Sequence, residues 1–278
     1  MEPASTLVRV FDIKRIEHGC SERRIDTVAA EEPLQVRLQY WFKDVPTVTA
    51  LALTMRTPGN DREFAAGYLL TEGIIEKRED IQELRSIGTE PSNEIVVELA
   101  PAVDVDSWML SRNGPLNASC GICGKRSIEA LSAYTRPLRT DGPIITSKLI
   151  ESLPPLLRSH QAGFGQTGGL HAAALITPDG AIQAAFEDIG RHNALDKLIG
   201  HELLGGRTPL ANGILFLSSR SSFELVQKAM MAGAPVLATV GGPSSLAIEM
   251  ARTYGLTLIG FVRGERFNIY SGEWRLHS

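Results

Sequence analysis

The stretch that decides the fold is GILFLSSRSSFELVQKAMMAGAPVLATVGGPSSLAIEMARTYGLTLIGFV, residues 213–262. Short apolar runs alternate here with amphipathic segments: the runs are 213–219, 235–240 and 256–262, and the segments are 222–233 and 244–255. A short apolar run is typical of a buried strand, and an amphipathic segment is typical of a surface helix. The alternation predicts a largely parallel sheet with helices on its faces.

The same alternation begins upstream. We predict a helix at 147–161, a pair of strands around a Pro-Asp-Gly turn at 171–188, and a second helix at 192–204. The first half instead reads as mixed α+β, with strands at 34–42, 48–55 and 94–100 and helices at 60–75 and 126–134. A polar, turn-rich stretch at 135–144 separates the two. We therefore predict a smaller α+β domain (1–140), followed by a three-layer α/β domain with a mostly parallel sheet (141–278).

Composition excludes several classes of protein. The 278 residues are 43% hydrophobic and carry a formal net charge of -4, so nothing indicates bulk binding of nucleic acid. No apolar run approaches the roughly 18 residues of a membrane span. The start, MEPASTLVRV, does not read as a secretory signal, and three cysteines are not a disulfide framework. We expect a cytoplasmic protein that contacts neither membrane nor nucleic acid.

Three strand ends carry unusual residues. Ser218, Ser219, Arg220, Ser221 and Ser222 follow the first run, Gly241 and Gly242 follow the second, and Arg263 and Arg266 surround Gly264 after the third. Ligands of open α/β sheets bind outside the carboxyl ends of the strands, where glycines and helix N-termini suit phosphate. Any one such turn is ordinary, but together they predict an anion site.

Two further stretches hold candidate side chains. FEDIGRHNALDK (186–197) concentrates charge at a strand-to-helix junction, which is typical of a solvated helix start. An arginine and His192 beside a glycine could equally line a polar pocket. His171 lies just inside a strand among small residues, where a histidine is more often a hydrogen-bonded core residue than a ligand or base.

The cysteine pair in SCGICGK (119–125) allows three interpretations. A closed zinc site needs four ligands, and the sequence offers neither a second C-x-x-C nor a closely spaced histidine pair, so no metal is expected. A thioredoxin-like pair should follow a strand, whereas Cys120 and Cys123 follow a Gly/Asn/Ser-rich loop. The third interpretation is a carrier thiol. The surrounding glycines leave the sulfurs accessible, and the positive charges of Lys125 and Arg126 favour the reactive thiolate.

A zinc deaminase is disfavoured, although the order of the second half suits a deaminase-like sheet. Such enzymes need H-x-E followed downstream by P-C-x-x-C. Here HAA (171–173) lacks the glutamate, and the cysteine pair lies upstream of it.

Several motifs together resemble one family, the formate dehydrogenase accessory sulfurtransferases, also called sulfur carrier proteins for formate dehydrogenase (the FdhD family). The matching stretches are CGICG (120–124), TGGLHAAA (167–174), EDIGRHNALDK (187–197), SSRSSFELVQKA (218–229), GGPSSLAIEMA (241–251) and LTLIGFVRGERFNIY (256–270). In the first half, EEPL (31–34) and FAAGYLLTEGII (64–75) fit as well.

The resemblance implies more than the residues do by themselves. It implies that Cys120 accepts sulfur as a persulfide from a cysteine desulfurase, with Cys123 assisting. The sulfur would pass to the molybdenum bis-guanine-dinucleotide cofactor, Mo-bis(molybdopterin guanine dinucleotide), which formate dehydrogenase requires. The resemblance also implies a cytidine-deaminase-like second domain, a homodimer, and cofactor contacts from Phe261, Val262, Arg263, Gly264, Glu265 and Arg266.

A ligand with several phosphates suits the three anion-friendly turns, so Ser218, Ser219, Arg220, Gly241, Gly242 and His192 complete the expected cofactor site. GDP-like nucleotides should bind there. Two alternatives stay open: a chaperone that binds the molybdenum cofactor without transferring sulfur, and a zinc-stabilised structural module.

Overall fold

A computed structural model describes residues 7–43, 45–88, 92–105, 138 and 142–277. The predicted helix at 126–134 and the cysteine pair lie outside the described residues. We call residues 7–105 the first half of the protein and residues 142–277 the second half.

The first half contains a hairpin, a four-stranded sheet and one helix. The hairpin consists of β1 (Val8–Glu17) and β2 (Cys20–Ala29), which pair antiparallel over their whole length. The sheet, in the order β4-β3-β6-β5, comprises β3 (Glu32–Phe42), β4 (Val45–Arg56), β5 (Ile81–Ser86) and β6 (Glu94–Leu99). Helix α1 (Asp61–Thr71) follows β4. The sequence did not predict the hairpin, because its strands are charged and mostly exposed and so lack a clean apolar alternation.

The second half is built on a six-stranded sheet in the order β13-β12-β11-β10-β8-β9. Its strands are β8 (His171–Ile176), β9 (Ile182–Asp188), β10 (Ile214–Leu217), β11 (Val236–Thr239), β12 (Thr257–Arg263) and β13 (Arg266–Ser271). Its helices are α2 (Ser147–Arg158), α3 (Ala162–Thr167), α4 (Arg191–Leu204), α5 (Phe223–Met231) and α6 (Ser245–Tyr254). Two short strands, β7 (Ile145–Thr146) and β14 (Leu276–His277), pair with each other.

The prediction of a mostly parallel sheet is wrong. Only the pairs β10–β11 and β11–β12 are parallel, whereas β8–β9, β8–β10 and β12–β13 are antiparallel. Two of the three antiparallel pairs have a local cause: tight turns at 177–181 and 264–265 fold β8–β9 and β12–β13 into hairpins, and a tight turn can join only antiparallel neighbours. The second of these hairpins was not predicted.

The prediction of three layers in the second half agrees with the packing of the sheet. Leu215, Leu217, Leu237 and Leu258 belong to the apolar cluster that contains residues of α4, α5 and α6. The intervening residues Phe216, Val236, Ala238 and Ile259 belong to a second cluster with Ile150 and Leu153 of α2. Side chains alternate between the faces of a strand, so helices cover both faces of the sheet. The likeness to cytidine deaminase stays a prediction.

Helices α1 and α4 join the two halves through a glycine contact. A Cβ atom added to Gly67 would overlap the carbonyl oxygen of Asp196, and one added to Gly200 would overlap the carbonyl oxygen of Glu63. The backbones therefore touch where the helices cross. The larger apolar cluster contains residues of both helices and both halves. The division at residue 140 stays a prediction.

Within the described part of the chain, no helix combines the length and the apolar character needed to cross a membrane.

Replacing Gly200 by Ala should destabilise the protein, because the added methyl group must push the two helices apart. We expect a loss of about 1–3 kcal/mol in the free energy of unfolding, as is typical of overpacking. The measurement is unfolding in urea, with Gly165→Ala as the control, since a Cβ atom there meets nothing within 4 Å. Equal midpoints for the two variants would contradict this account of the helix crossing.

Candidate functional site

The three predicted turns lie together at one edge of the six-stranded sheet. We call this edge, where β9, β10, β11 and β12 end, the carboxyl edge. Backbone hydrogen bonds join the turns: the N–H of Val240 donates to Leu217, that of Gly241 to Ser219 and that of Phe261 to Gly241, all at 3.0 Å. The fold therefore brings the turns into contact, as the pattern of strand ends predicted.

The two glycines of the middle turn make this contact sterically feasible. A Cβ atom at Gly241 would lie 2.7 Å from Cγ of Arg220, and one at Gly242 would lie 2.5 Å from the Phe261 ring. These positions thus need glycine so that neighbouring turns can pack against each other. Their expected contact with a ligand stays a prediction.

Exposed arginines surround the joined turns. Arg263 and Arg266 lie opposite each other where β12 turns into β13, with Gly264 in the left-handed region (φ 59°). Both side chains are exposed, as are Arg220 and Glu265. The Nε atom of Arg263 lies 3.5 Å from the carbonyl oxygen of Val240. The arrangement places exposed positive charge beside the hydrogen-bonded backbone of the turns.

Other predicted contacts are less accessible. Val262 is fully buried in the cluster on the α2 face, so its side chain cannot meet a ligand without a rearrangement of the core. Ser219 is 7% exposed, and its hydroxyl donates to the carbonyl oxygen of Arg220. Phe261 is 40% exposed, and Ser218 is half-buried. Their assignment to the cofactor stays a prediction.

His192 is held by the helix that follows the first turn. Its Nε2 atom lies 2.9 Å from a carboxylate oxygen of Glu224 and 3.5 Å from Oγ of Ser222. Burial tends to raise the pKa of Glu224, but the hydrogen bond and charge of His192, with the charges of Lys228 and Arg191, lower it below its ordinary value. The pair links the N-termini of α4 and α5 beside the turn after β10.

The charged stretch 186–197 is not a solvated helix start. Asp188 is fully buried and pairs with Nζ of Lys197 at 2.8 Å. It also accepts hydrogen bonds from the backbone N–H groups of Thr57 and Gly190 and from the side-chain amide of Asn193. These residues therefore hold the first half to the second half instead of lining an open pocket.

The neighbouring carboxylate serves the opposite face of the sheet. Glu187 accepts hydrogen bonds from the backbone N–H groups of Gly163 (2.8 Å) and Phe164 (2.7 Å), the first turn of α3. A carboxylate at a helix N-terminus satisfies donors that would otherwise be unpaired. Glu187 thus fixes α3 against the end of β9.

A cavity of about 590 Å³ opens at the carboxyl edge on the α2 face. That volume lies within the usual range for small-molecule sites. Its lining comprises Pro154, Pro155, Leu157, Arg158, Gln161, Phe164, Gly168, Gly169, Leu170, His171, Phe216, Ser218 and Val240. Arg263, which contacts Val240, places a positive charge near its rim.

Of the residues singled out from the sequence, only Ser218 and His171 line this cavity. Burial lowers the pKa of His171, as do the nearby Arg191 and His192, although Asp188 acts against them. The neutral imidazole is therefore favoured at neutral pH. His171 is not an inert core residue, because it lies in the wall of an open site.

Sequence reasoning missed the wall formed by α2 and α3, which includes Arg158, Gln161 and Phe164. These residues are far from the strand ends along the chain. The one available signal was the glycine-rich stretch at 163–169, which leads directly into β8.

The predicted sulfur-carrying residues Cys120 and Cys123 lie outside the described residues. The described chain that precedes them ends with Val105, which is buried in the larger apolar cluster. After them, the N–H of Leu138 donates to the carbonyl of Tyr254 at the end of α6. Within the described ranges, no cluster of three His, Cys, Asp or Glu residues could hold a metal ion.

Comparison with known protein families shows to which family this chain belongs. The family model described as "FdhD/NarQ family" matches residues 29–277. The chain belongs to the FdhD/NarQ family. Two relatives called sulfur carrier protein FdhD support this: one from Streptomyces coelicolor is 44% identical (94% of this chain, 93% of the relative), and one from Nocardia farcinica is 45% identical (92% and 90%).

A solved structure resembles this FdhD/NarQ family member over nearly its full length. It is the crystal structure of a formate dehydrogenase accessory protein from Desulfotalea psychrophila, with a TM-score of 0.75 and 25% identity. The similarity covers 98% of this chain and 100% of that one. The fold described above is therefore also the fold of that accessory protein.

Replacing Asp188 by Asn should strongly destabilise the protein, because Lys197 then keeps a buried charge without its counter-ion. We expect a loss of about 3–5 kcal/mol in the free energy of unfolding. Guanidinium unfolding measures it. The control is Glu17→Gln, which removes the exposed pair with Arg15 (3.4 Å) and should cost at most about 1 kcal/mol. Similar losses in both variants would mean that Asp188 is not a structural anchor.

Proposed function

We propose that this FdhD/NarQ family member is a sulfurtransferase that carries sulfur for the maturation of formate dehydrogenase. It takes persulfide sulfur from a cysteine desulfurase and passes it to Mo-bis(molybdopterin guanine dinucleotide), its substrate. The observation that carries the proposal is an identity of 44–45% over nearly the whole chain with proteins called sulfur carriers. The name of the solved neighbour supports formate dehydrogenase as the recipient.

The transfer is a displacement at sulfur. The Cys120 thiolate attacks the outer sulfur of the desulfurase persulfide, a new S–S bond forms, and the donor cysteine leaves as a thiolate. Cys120 then carries the persulfide. Attack by Cys123 on the inner sulfur would release hydrosulfide and leave a Cys120–Cys123 disulfide, which a thiol must reduce before the next cycle. Direct attack on the outer sulfur by the acceptor would leave Cys120 as a thiolate, without a disulfide.

The carboxyl edge is the place where the nucleotide ends of the cofactor would bind. The N–H of Gly241 is engaged with Ser219, so phosphates would depend chiefly on the exposed Arg220, Arg263 and Arg266. His192, held by Glu224, borders the same turns. The proposal further includes a homodimer, a cytoplasmic location and a cytidine-deaminase-like second domain.

Incubation with a cysteine desulfurase and cysteine should add about 32 Da, one sulfur atom, to the peptide that contains Cys120. The variant Cys120→Ala should lack this adduct and fail to activate formate dehydrogenase, because the carrier thiol is gone. Intact-protein and peptide mass spectrometry provide the measurement. The matched control is Cys20→Ala, which removes an exposed cysteine of the hairpin and should change neither result.

An unchanged adduct on the Cys120→Ala variant would rule out Cys120 as the carrier. If the double variant Cys120→Ala/Cys123→Ala still supports maturation while Arg263→Ala does not, the protein is a cofactor-binding chaperone without sulfur transfer. These outcomes separate the two candidate functions.

GDP should bind at the carboxyl edge, and its binding should weaken as salt rises, because exposed charges are screened. Arg263→Ala and Arg266→Ala should each raise the dissociation constant about tenfold, the size expected when one charge-assisted contact is lost. Calorimetric titration measures this. Arg23→Ala, an exposed arginine of the hairpin, is the matched control. Equal affinity in all three variants would refute this placement of the phosphates.

A further inference from the structure

The lining of the cavity at the carboxyl edge has the chemistry of a site for an aromatic ring. Two helices and the end of the sheet border it, and much of its wall is apolar: Pro154, Pro155, Leu157, Phe164, Leu170 and Phe216. Stacking and apolar contact in such a wall bind an aromatic ring system, whereas a few polar groups fix its orientation.

One polar side chain in the wall lacks a partner. Gln161 is 8% exposed and lines the cavity, and no described residue pairs with its side-chain amide, whose atoms are not fully enclosed by protein and so open toward the cavity. It precedes the first turn of α3 but does not cap that helix with its side chain. An amide that opens into a cavity without a protein partner is paired by water or by whatever fills the cavity. The position therefore favours a ligand that offers both a donor and an acceptor.

Nearby groups add to this polarity. The hydroxyl of Ser218 accepts from the N–H of Ala172 at 2.9 Å, which leaves its proton free to donate. The Arg158 guanidinium lies 4.5 Å from the centre of the Phe164 ring, so a cation and an aromatic face form one side of the cavity. Glu187 holds this side in place through the backbone of α3.

We propose that this cavity binds the ring of guanine or of a pterin and that Gln161 reads the edge of that ring. Both rings carry a carbonyl oxygen beside a ring N–H, and a side-chain amide can donate to the first while accepting from the second. The proposal rests on the proposed function, because the cofactor contains both rings. It adds a specificity-determining residue that lies apart from the phosphate-binding turns.

Replacing the Gln161 amide by a carboxylate should change which rings the site accepts. A glutamine amide can turn over and pair with adenine as well, whereas a carboxylate only accepts. Guanine and pterin present two adjacent donors, the ring N–H and the amino group, to a carboxylate. Adenine presents a lone pair beside its amino group, which a carboxylate repels. The variant Gln161→Glu should therefore keep guanine and pterin and reject adenine.

The experiment titrates the full-length protein and its variants with GDP, ADP and free pterin, followed by calorimetry and by pterin fluorescence. Gln161→Leu should weaken binding of the ring that occupies the cavity by about tenfold, the loss expected for a paired amide in a buried site. Gln161→Glu should raise the preference for GDP over ADP by at least about tenfold. The matched control is Gln35→Leu, which removes an amide on β3 outside the cavity.

A change in stability should not account for a loss of binding in the Gln161→Leu variant. The Gln161 side chain bonds to no described residue, so Gln161→Leu should keep the thermal midpoint of the wild type. A loss of GDP binding alone in this variant assigns the cavity to guanine, and a loss of pterin binding alone assigns it to the pterin.

Unchanged affinities in both Gln161 variants overturn the proposal, as does a wild-type protein that binds none of the three probes. If Arg263→Ala weakens GDP binding while the Gln161 variants do not, the phosphate placement stands and the ring lies elsewhere. If the persulfide on Cys120 forms but no probe binds, sulfur transfer survives and the ring site fails.

Discussion

The carboxylate of Asp188 is the interaction on which the arrangement of the molecule depends. It ends β9 inside the protein, where Lys197 neutralises it and Asn193 and Gly190 donate to it. The backbone N–H of Thr57, from the first half, donates to the same group. Lys197 in turn donates to the carbonyl of Thr57, so a single buried pair ties strand, helix and first half together. Such a pair resists separation because either charge alone would be buried without a partner.

This anchor also positions the candidate site. Glu187 and Asp188 are adjacent in β9 and serve opposite faces of the sheet, as the alternation of a strand requires. Asp188 holds α4 and the first half, whereas Glu187 holds α3, which supplies Phe164 to the cavity and directly follows Gln161. The geometry of the cavity is thus coupled to the joint between the halves, and a change in one should be felt in the other.

Parts of the site could be predicted because they depend only on local order along the chain. Three strand ends rich in serine, glycine and arginine had to meet if their strands were neighbours, and they do. The prediction of a mostly parallel sheet was wrong because apolar runs indicate which segments are buried but not the direction in which neighbouring strands pair. Val262 was assigned to the ligand by its place in a motif. An irregularity of β12 between Gly260 and Arg263, with Phe261 in the left-handed region (φ 54°), instead turns its side chain into the core on the same face as Ile259.

The sequence by itself determined β8 to β12, the helices α2, α4, α5 and α6, and the carboxyl-edge turns, because hydrophobic period and turn chemistry act over a few residues. It also carried the motifs of the FdhD/NarQ family. Only the tertiary structure decided that the charged stretch 186–197 is a buried joint and that α2 and α3 border a cavity lined by Gln161. Both depend on contacts between residues far apart in the chain, such as Thr57 with Asp188, and no local pattern specifies which distant partner will satisfy a buried charge.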